Sequence, residues 1–233
     1  MYMDKNKLAR SFAKVVGQQT IQVPEYNSAA TSDWISTSGL PWLVLDINVP
    51  YKKILEEIYN VSAYFVAHRD EYNTNLGWES FCIHGKSYDA TRESEFYNDD
   101  RPLIWAKEAV ELMPHTVEYF KNTWPCDQYD RLRVMKLAPG AIIEVHQDDI
   151  GPTRMSPINI AITQPKDCNF YIEGHGIVPF VQGTAVWLDI GRRHCVINDG
   201  CEDRYHIIVH QHIETKGFDE LVVRSYNKTY GTS

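Results

Sequence analysis

From Arg131 onward the chain is almost wholly short β-prone runs separated by turns, and this pattern constrains the fold more than any other feature. The runs are Arg131–Leu137, Ala141–Gln147, Ser156–Thr163, Asn169–Glu173, Thr184–Ile190 and Arg204–Ile213. Gly174-His175-Gly176 reads as a hairpin turn, because glycine supplies the positive φ such turns need. At least six short strands are joined by glycine turns, with no helices alternating between them. They predict an α+β chain whose core is a double-stranded β-helix, the jelly roll of cupin type, with helices packed on one face.

Upstream, Pro50 fits the first turn of a helix running to about Ala67, with Ile54, Leu55, Ile58 and Val61 or Ser62 as its 3.6-period stripe. Two further helices are expected over Ile104–Met113 and Thr116–Trp124. Pro114 separates them, since it lacks a backbone donor and restricts the residue before it. Ile21–Pro50 reads as short strands and loops around Trp34 and Trp42, and the tail after Thr215 carries one apolar patch, Phe218 with Leu221-Val222-Val223. The expected organisation is one domain over 1–233: an N-terminal strand-and-helix region over 1–130, the jelly-roll core over 131–213 and a C-terminal tail over 214–233.

Composition narrows the function classes. A net charge of -8 without any basic block argues against a nucleic-acid-binding face, which needs clustered Lys and Arg. Five cysteines, Cys82, Cys126, Cys168, Cys195 and Cys201, form no regular framework and point to free thiols in a reducing compartment. The start of the chain has no apolar leader and no run of eighteen apolar residues occurs, so no membrane partner and a cytoplasmic location are expected.

Chemistry concentrates in His146-Gln147-Asp148, answered later by His194 and Arg204. In an extended strand His146 and Asp148, two apart, project to one side. A second histidine from a distant strand completes a 2-His-1-carboxylate set, the ligands that hold non-haem Fe(II) with open positions. From these residues alone, an ordinary hydrogen-bonded cluster is the favoured explanation. On the last strand Arg204, His206, Ile208 and His210 share one face, opposite Tyr205, Ile207 and Val209. An inward Arg204 needs an anion, and a dicarboxylate fits its planar fork. His206, His210 and His212 invite a zinc reading, but His206 and His212 lie about 20 Å apart along a strand. Cys195 and Cys201 beside His194 lack the spacing of a zinc knuckle. His84 reads as a strand-end histidine, and Arg131 and Arg133 as strand arginines that can meet an acidic group.

The window from Arg131 through Leu137-Ala-Pro-Gly140 to His146-Gln-Asp148 resembles the aspartyl/asparaginyl β-hydroxylase family, Fe(II)- and 2-oxoglutarate-dependent oxygenases that include bacterial cis-proline hydroxylases. Gly183 to Asn198, with Trp187-Leu-Asp, His194 and Val196-Ile-Asn198, resembles its distal-histidine segment, and Asp203-Arg204-Tyr-His-Ile-Ile its co-substrate strand. Met113-Pro-His-Thr116 with Tyr119 resembles the helix before the core in the proline-hydroxylase branch, and Gly77-Trp78 with His84-Gly85 an earlier shared segment. Asp148 is similar to the bacterial branch in supplying the triad acid that the animal peptidyl branch lacks.

The resemblance implies that His146, Asp148 and His194 bind iron and that Arg204 binds the distal carboxylate of 2-oxoglutarate. Many relatives carry a basic residue and a histidine where this chain has Pro157 and Asn159. That leaves Asn159 and Arg154 for the near carboxylate, and His206, Trp187 and Arg133 as supporting or substrate-facing groups. The implied reaction is O2-dependent hydroxylation of an unactivated C–H in an amino acid or amino-acid residue, free proline or peptidyl Asp, Asn or Pro, yielding succinate and CO2. A metal-binding cupin with other chemistry and a non-catalytic jelly-roll binding module are the alternatives.

Overall fold

The computed structural model describes residues 4–18, 35, 37–68, 77–91, 100–148, 157–211 and 217–231. Trp34, Arg154, Ser156, His212 and Ile213, named above, lie outside them. Helix α1 (Lys5–Val16) comes first, then strand β1 (Trp42–Leu45), helix α2 (Tyr51–Asn60), and strands β2 (Val66–Ala67), β3 (Trp78–Gly85) and β4 (Ile104–Trp105). Helices α3 (Lys107–Leu112) and α4 (Pro114–Asn122) precede the core strands. Those strands are β5 (Tyr129–Leu137), β6 (Ile142–His146), β7 (Ile158–Ala161), β8 (Cys168–Ile172), β9 (Gly176–Ile177), β10 (Ala185–Leu188), β11 (His194–Asn198) and β12 (Arg204–Gln211); helix α5 (Phe218–Tyr230) follows them.

All strand pairings among the described residues are antiparallel. One sheet of eight strands runs β1-β10-β7-β12-β5-β3-β2 with β4 beside β3, and a second runs β6-β11-β8-β9. From β5 to β12 the chain crosses back and forth between the two sheets, the winding of a jelly roll. Alternation along each strand then makes two cores. Trp78, Met135, Leu137, Ala161 and Val186 of the large sheet meet Ile143, Phe170, Ile172 and Val196 of the small one. On the other side of the large sheet, Leu132, Val134, Ile160, Ile207 and Val209 pack with residues of α2, α3, α4 and α5.

Several boundaries differ from the expectations. Helix α2 stops at Asn60, because a 3-10 turn at Ser62–Tyr64 turns the chain out so that Val66–Ala67 pairs with β3. Ile104, expected in a helix, pairs as strand with Gly85. The segment read as a tail is α5, with Phe218, Leu221, Val222 and Tyr226 all buried in the helix-side core. Helix α1 was not foreseen: Ala9 and Ala13 join Ile142, Cys195 and Ile197 on the outer side of the small sheet, so one helix lies apart from the other four. Gly183 (φ +87°) makes the turn into β10, and a Cβ there would meet the Tyr51 ring at 2.6 Å.

Glu57 locks α2 to α4. Its carboxylate accepts the backbone N–H of His115 and of Thr116 (2.9 and 2.8 Å), the Thr116 hydroxyl (2.6 Å) and His115 Nδ1 (2.8 Å), capping the first turn of α4. Burial pushes the Glu57 carboxyl up, but these donors together hold it below its ordinary value. Glu57→Ala strands those donors, and the expected loss of about 2 kcal/mol lowers the melting temperature by about 4–8 °C, read by calorimetry.

Candidate metal centre

His146 ends β6 and His194 begins β11, and the ladder sets the two directly opposite each other. Asp148 follows β6, its position set by the bond from its backbone N–H to the Ile190 carbonyl (3.0 Å). One ligand atom from each of the three side chains lies within 4.8 Å of the others, the one such group among the described residues. Asp148 Oδ2 is 3.8 Å from His146 Nε2 and 3.8 Å from His194 Nε2. Each histidine Nδ1 meets the carbonyl two residues back, His146 with Glu144 (2.7 Å) and His194 with Arg192 (2.9 Å). A carbonyl only accepts, so both Nδ1 atoms carry the proton and both Nε2 lone pairs are bare toward the carboxylate. This donor set fits a divalent ion that takes imidazole and carboxylate.

Phe170 stacks flat on the His194 ring (centroids 5.3 Å, 11°). Burial, reinforced by the neighbouring His146, pushes His194 down to about 4, so it stays neutral, as a metal ligand must. From there aromatic contacts run to the far end of the inter-sheet space: Phe170 to Phe180 (6.1 Å), and Phe180 to His206 (4.7 Å). Arg204 Cζ lies 5.8 Å from the Phe180 ring.

Arg204 is 3% exposed, on the face of β12 that looks between the sheets. Its Nη2 donates to His206 Nδ1 (2.8 Å), and no carboxylate among the described residues is within ion-pair reach. Burial pulls its pKa down to about 10, so the guanidinium is still charged at neutral pH. A buried cation without an internal anion carries a desolvation cost that a bound anion would offset.

The other residues singled out in the sequence divide. Arg133, Ile208 and Asn159 stand side by side in one row of the inner face, both polar residues buried. Arg131 and His210 pair in the next row. Trp187 is not part of this face: it pairs with Ile158 and belongs to the helix-side core, because its neighbour Val186 takes the inner position opposite Asn159. Cys195 points away from His194 toward α1, and Cys201 is exposed, so those two do not join a histidine set. His206 is bonded to Arg204, not to a metal group. His84 sits on the helix side, packed on Trp105 and Tyr129. Phe170, Phe180 and Gln164 were missed. The alternation of β8 puts Phe170 on the face opposite Tyr171, a signal in the sequence, whereas Gln164 lies in the irregular stretch between β7 and β8 with none.

A family model described as aspartyl/asparaginyl β-hydroxylase matches residues 48–212, more than half of the chain. No curated protein matches the sequence. Among solved structures, a 2OG-Fe(II) oxygenase family oxidoreductase from Burkholderia pseudomallei is 10% identical at TM-score 0.49, covering 86% of this chain and 97% of its own. A prolyl-4-hydroxylase from Pseudomonas putida is 14% identical at TM-score 0.47, covering 80% and 98%. The viral collagen prolyl hydroxylase of Paramecium Bursaria Chlorella virus-1 is 11% identical at TM-score 0.45, covering 75% and 97%. These TM-scores lie below 0.5, so the assignment rests on the family match.

Burial holds His84 down to about 4 and His206 well below its ordinary value. Both take up protons in the unfolded chain below about pH 6.5 and not in the folded one, so stability falls as the pH drops from 6.5 toward 4. The urea midpoint of metal-free protein is therefore lower at pH 5 than at pH 7, and His84→Gln, which removes one of these groups, shows a smaller drop.

Proposed function

Because the chain belongs to the aspartyl/asparaginyl β-hydroxylase family, whose members are Fe(II)- and 2-oxoglutarate-dependent oxygenases, we propose that it hydroxylates an unactivated C–H of an amino acid or amino-acid residue. The candidate substrates are free proline and peptidyl Asp, Asn or Pro, with succinate and CO2 as co-products. The observation that carries this reading is the pairing of the His146, Asp148 and His194 cluster with a buried, acid-free Arg204 between the same two sheets.

His146, Asp148 and His194 hold the metal. The iron supplies oxygen activation coupled to decarboxylation of 2-oxoglutarate, chemistry no side chain here can perform. The protein's share is placement. The carbonyls of Glu144 and Arg192 keep each Nε2 lone pair turned toward Asp148. Arg204 grips the distal carboxylate of 2-oxoglutarate, and the match of a planar fork to a carboxylate fixes the molecule's direction as well as its affinity. Asn159, beside Ile208 on the inner face, is the amide donor for the other carboxylate, with Arg154 proposed as its companion. Phe170 and Phe180 wall the space with apolar rings, which excludes water and strengthens each charged contact inside. Arg133, and Arg131 in the next row, are the groups to meet an acidic portion of the substrate.

The single domain over 1–233 and a cytoplasmic location belong to the same proposal. Among the described residues no helix is long and apolar enough to cross a membrane.

The test is anaerobic titration with Fe(II) and 2-oxoglutarate, followed in air by succinate formation with a panel of amino acids and peptides. Wild-type protein is expected to show a charge-transfer absorption that Asp148→Ala abolishes. Arg204→Met keeps Fe(II) binding but weakens 2-oxoglutarate at least about tenfold, the scale of one lost charge-assisted pair. Full activity of Arg204→Met sinks the co-substrate role and favours a cupin of other chemistry.

A further inference from the structure

Behind Arg204 stands a polar chain that neither the metal nor the family match explains. Arg204 Nη2 donates to His206 Nδ1 (2.8 Å), His206 Nε2 meets Gln164 Oε1 (3.2 Å), and Gln164 Nε2 donates to the Cys168 carbonyl (2.5 Å). The direction of every link is determined. A guanidinium has only donors, so His206 Nδ1 must be the bare, accepting nitrogen. Its Nε2 then carries the proton and donates to the Gln164 oxygen, which orients the amide so that its nitrogen faces the carbonyl of β8. The chain thus begins at the buried cation on the large sheet and ends on backbone of the small one.

His206 is wholly buried and Phe180 meets it edge-on at 4.7 Å, so the imidazole is held by packing as well as by its bonds to Arg204 and Gln164. One Arg204 N–H is spent on it. The remaining donors have no acidic partner among the described residues, and the plane they lie in follows from where His206 holds Nη2.

We infer that His206 and Gln164 are positioning residues for the co-substrate: together they set the plane of the Arg204 guanidinium and so control how tightly the site holds the distal carboxylate of 2-oxoglutarate. This rests on the co-substrate role given to Arg204 above. An arginine side chain has several rotatable bonds, and a fork that must find its carboxylate loses affinity to rotamer freedom, whereas one held by an acceptor is already in place. Histidine suits the task because it accepts from the arginine while donating onward, which an apolar residue of equal size cannot do. Neither residue need touch the reacting atoms.

Two measurements decide the matter. Nitrogen-resolved NMR of histidine-labelled, metal-free protein is expected to show His206 as the Nε2–H tautomer, and an Nδ1–H tautomer overturns the relay. In anaerobic Fe(II) titrations, His206→Phe is expected to raise the dissociation constant of 2-oxoglutarate about tenfold, the order for one hydrogen bond to a charged group. Fe(II) affinity and the far-ultraviolet spectrum stay unchanged. His206→Asn, whose amide oxygen can stand near the place of Nδ1, recovers most of the loss, and Gln164→Leu, which removes only the outer link, costs about threefold. The Michaelis constant for 2-oxoglutarate in substrate-free turnover rises in step while the turnover number stays. Folded His206→Phe that binds 2-oxoglutarate as wild type does, or His206→Asn as weak as His206→Phe, overturns the positioning role. Wild-type protein without any charge-transfer band overturns instead the co-substrate reading on which the role depends.

Discussion

A guanidinium buried between two sheets, with no carboxylate to neutralise it among the described residues, is the constraint around which the inner space is arranged. Taking such a charge out of water costs far more than one neutral hydrogen bond returns. A fold selected for stability alone would place an acid beside Arg204 or an apolar residue in its stead. Here its neighbours are Phe180, the thiol-bearing Cys168 and a neutral histidine, none of which cancels the charge. Under the proposed co-substrate role, this electrostatic deficit is what a small anion would offset on binding.

At that other end the arrangement is complementary. His146 and His194 are aligned by carbonyls two residues behind each, so neither ring needs a distant partner to hold its tautomer. The local backbone of two strand ends does the work usually given to outer carboxylates. Antiparallel register then sets the rings opposite each other, and the bond from Asp148 N–H to Ile190 brings the acid across. The buried guanidinium and the His146, Asp148 and His194 cluster thus belong to different sheets but face one interior, linked by Phe170 and Phe180.

Strand alternation was legible wherever a strand was long enough to show it. The division of β12 into one face with Arg204, His206 and Ile208 and another with Tyr205, Ile207 and Val209 followed from the period alone, and the packing made the second the helix side. Trp187 shows where such reading stops, because a four-residue strand that is buried on both faces carries no contrast to say which side is inner. Helix α1 and helix α5 were hidden for a related reason. Both carry apolar residues at helical spacing, but what each packs on lies far off in sequence: for α1 it is a sheet whose strands are more than a hundred residues away along the chain. The early end of α2 likewise came from pairing of Val66–Ala67 with β3, which overrides local helix preference.

By itself the sequence determined the class of fold, the candidate residues and, in the longer strands, which of them share a face, since these depend on period, turn residues and side-chain type. Tertiary structure decided which of them meet. Register across β6 and β11 put the two histidines opposite each other, and the crossing between sheets brought Gln164 within reach of His206. Those contacts depend on distances between segments far apart along the chain, and no local rule carries that information.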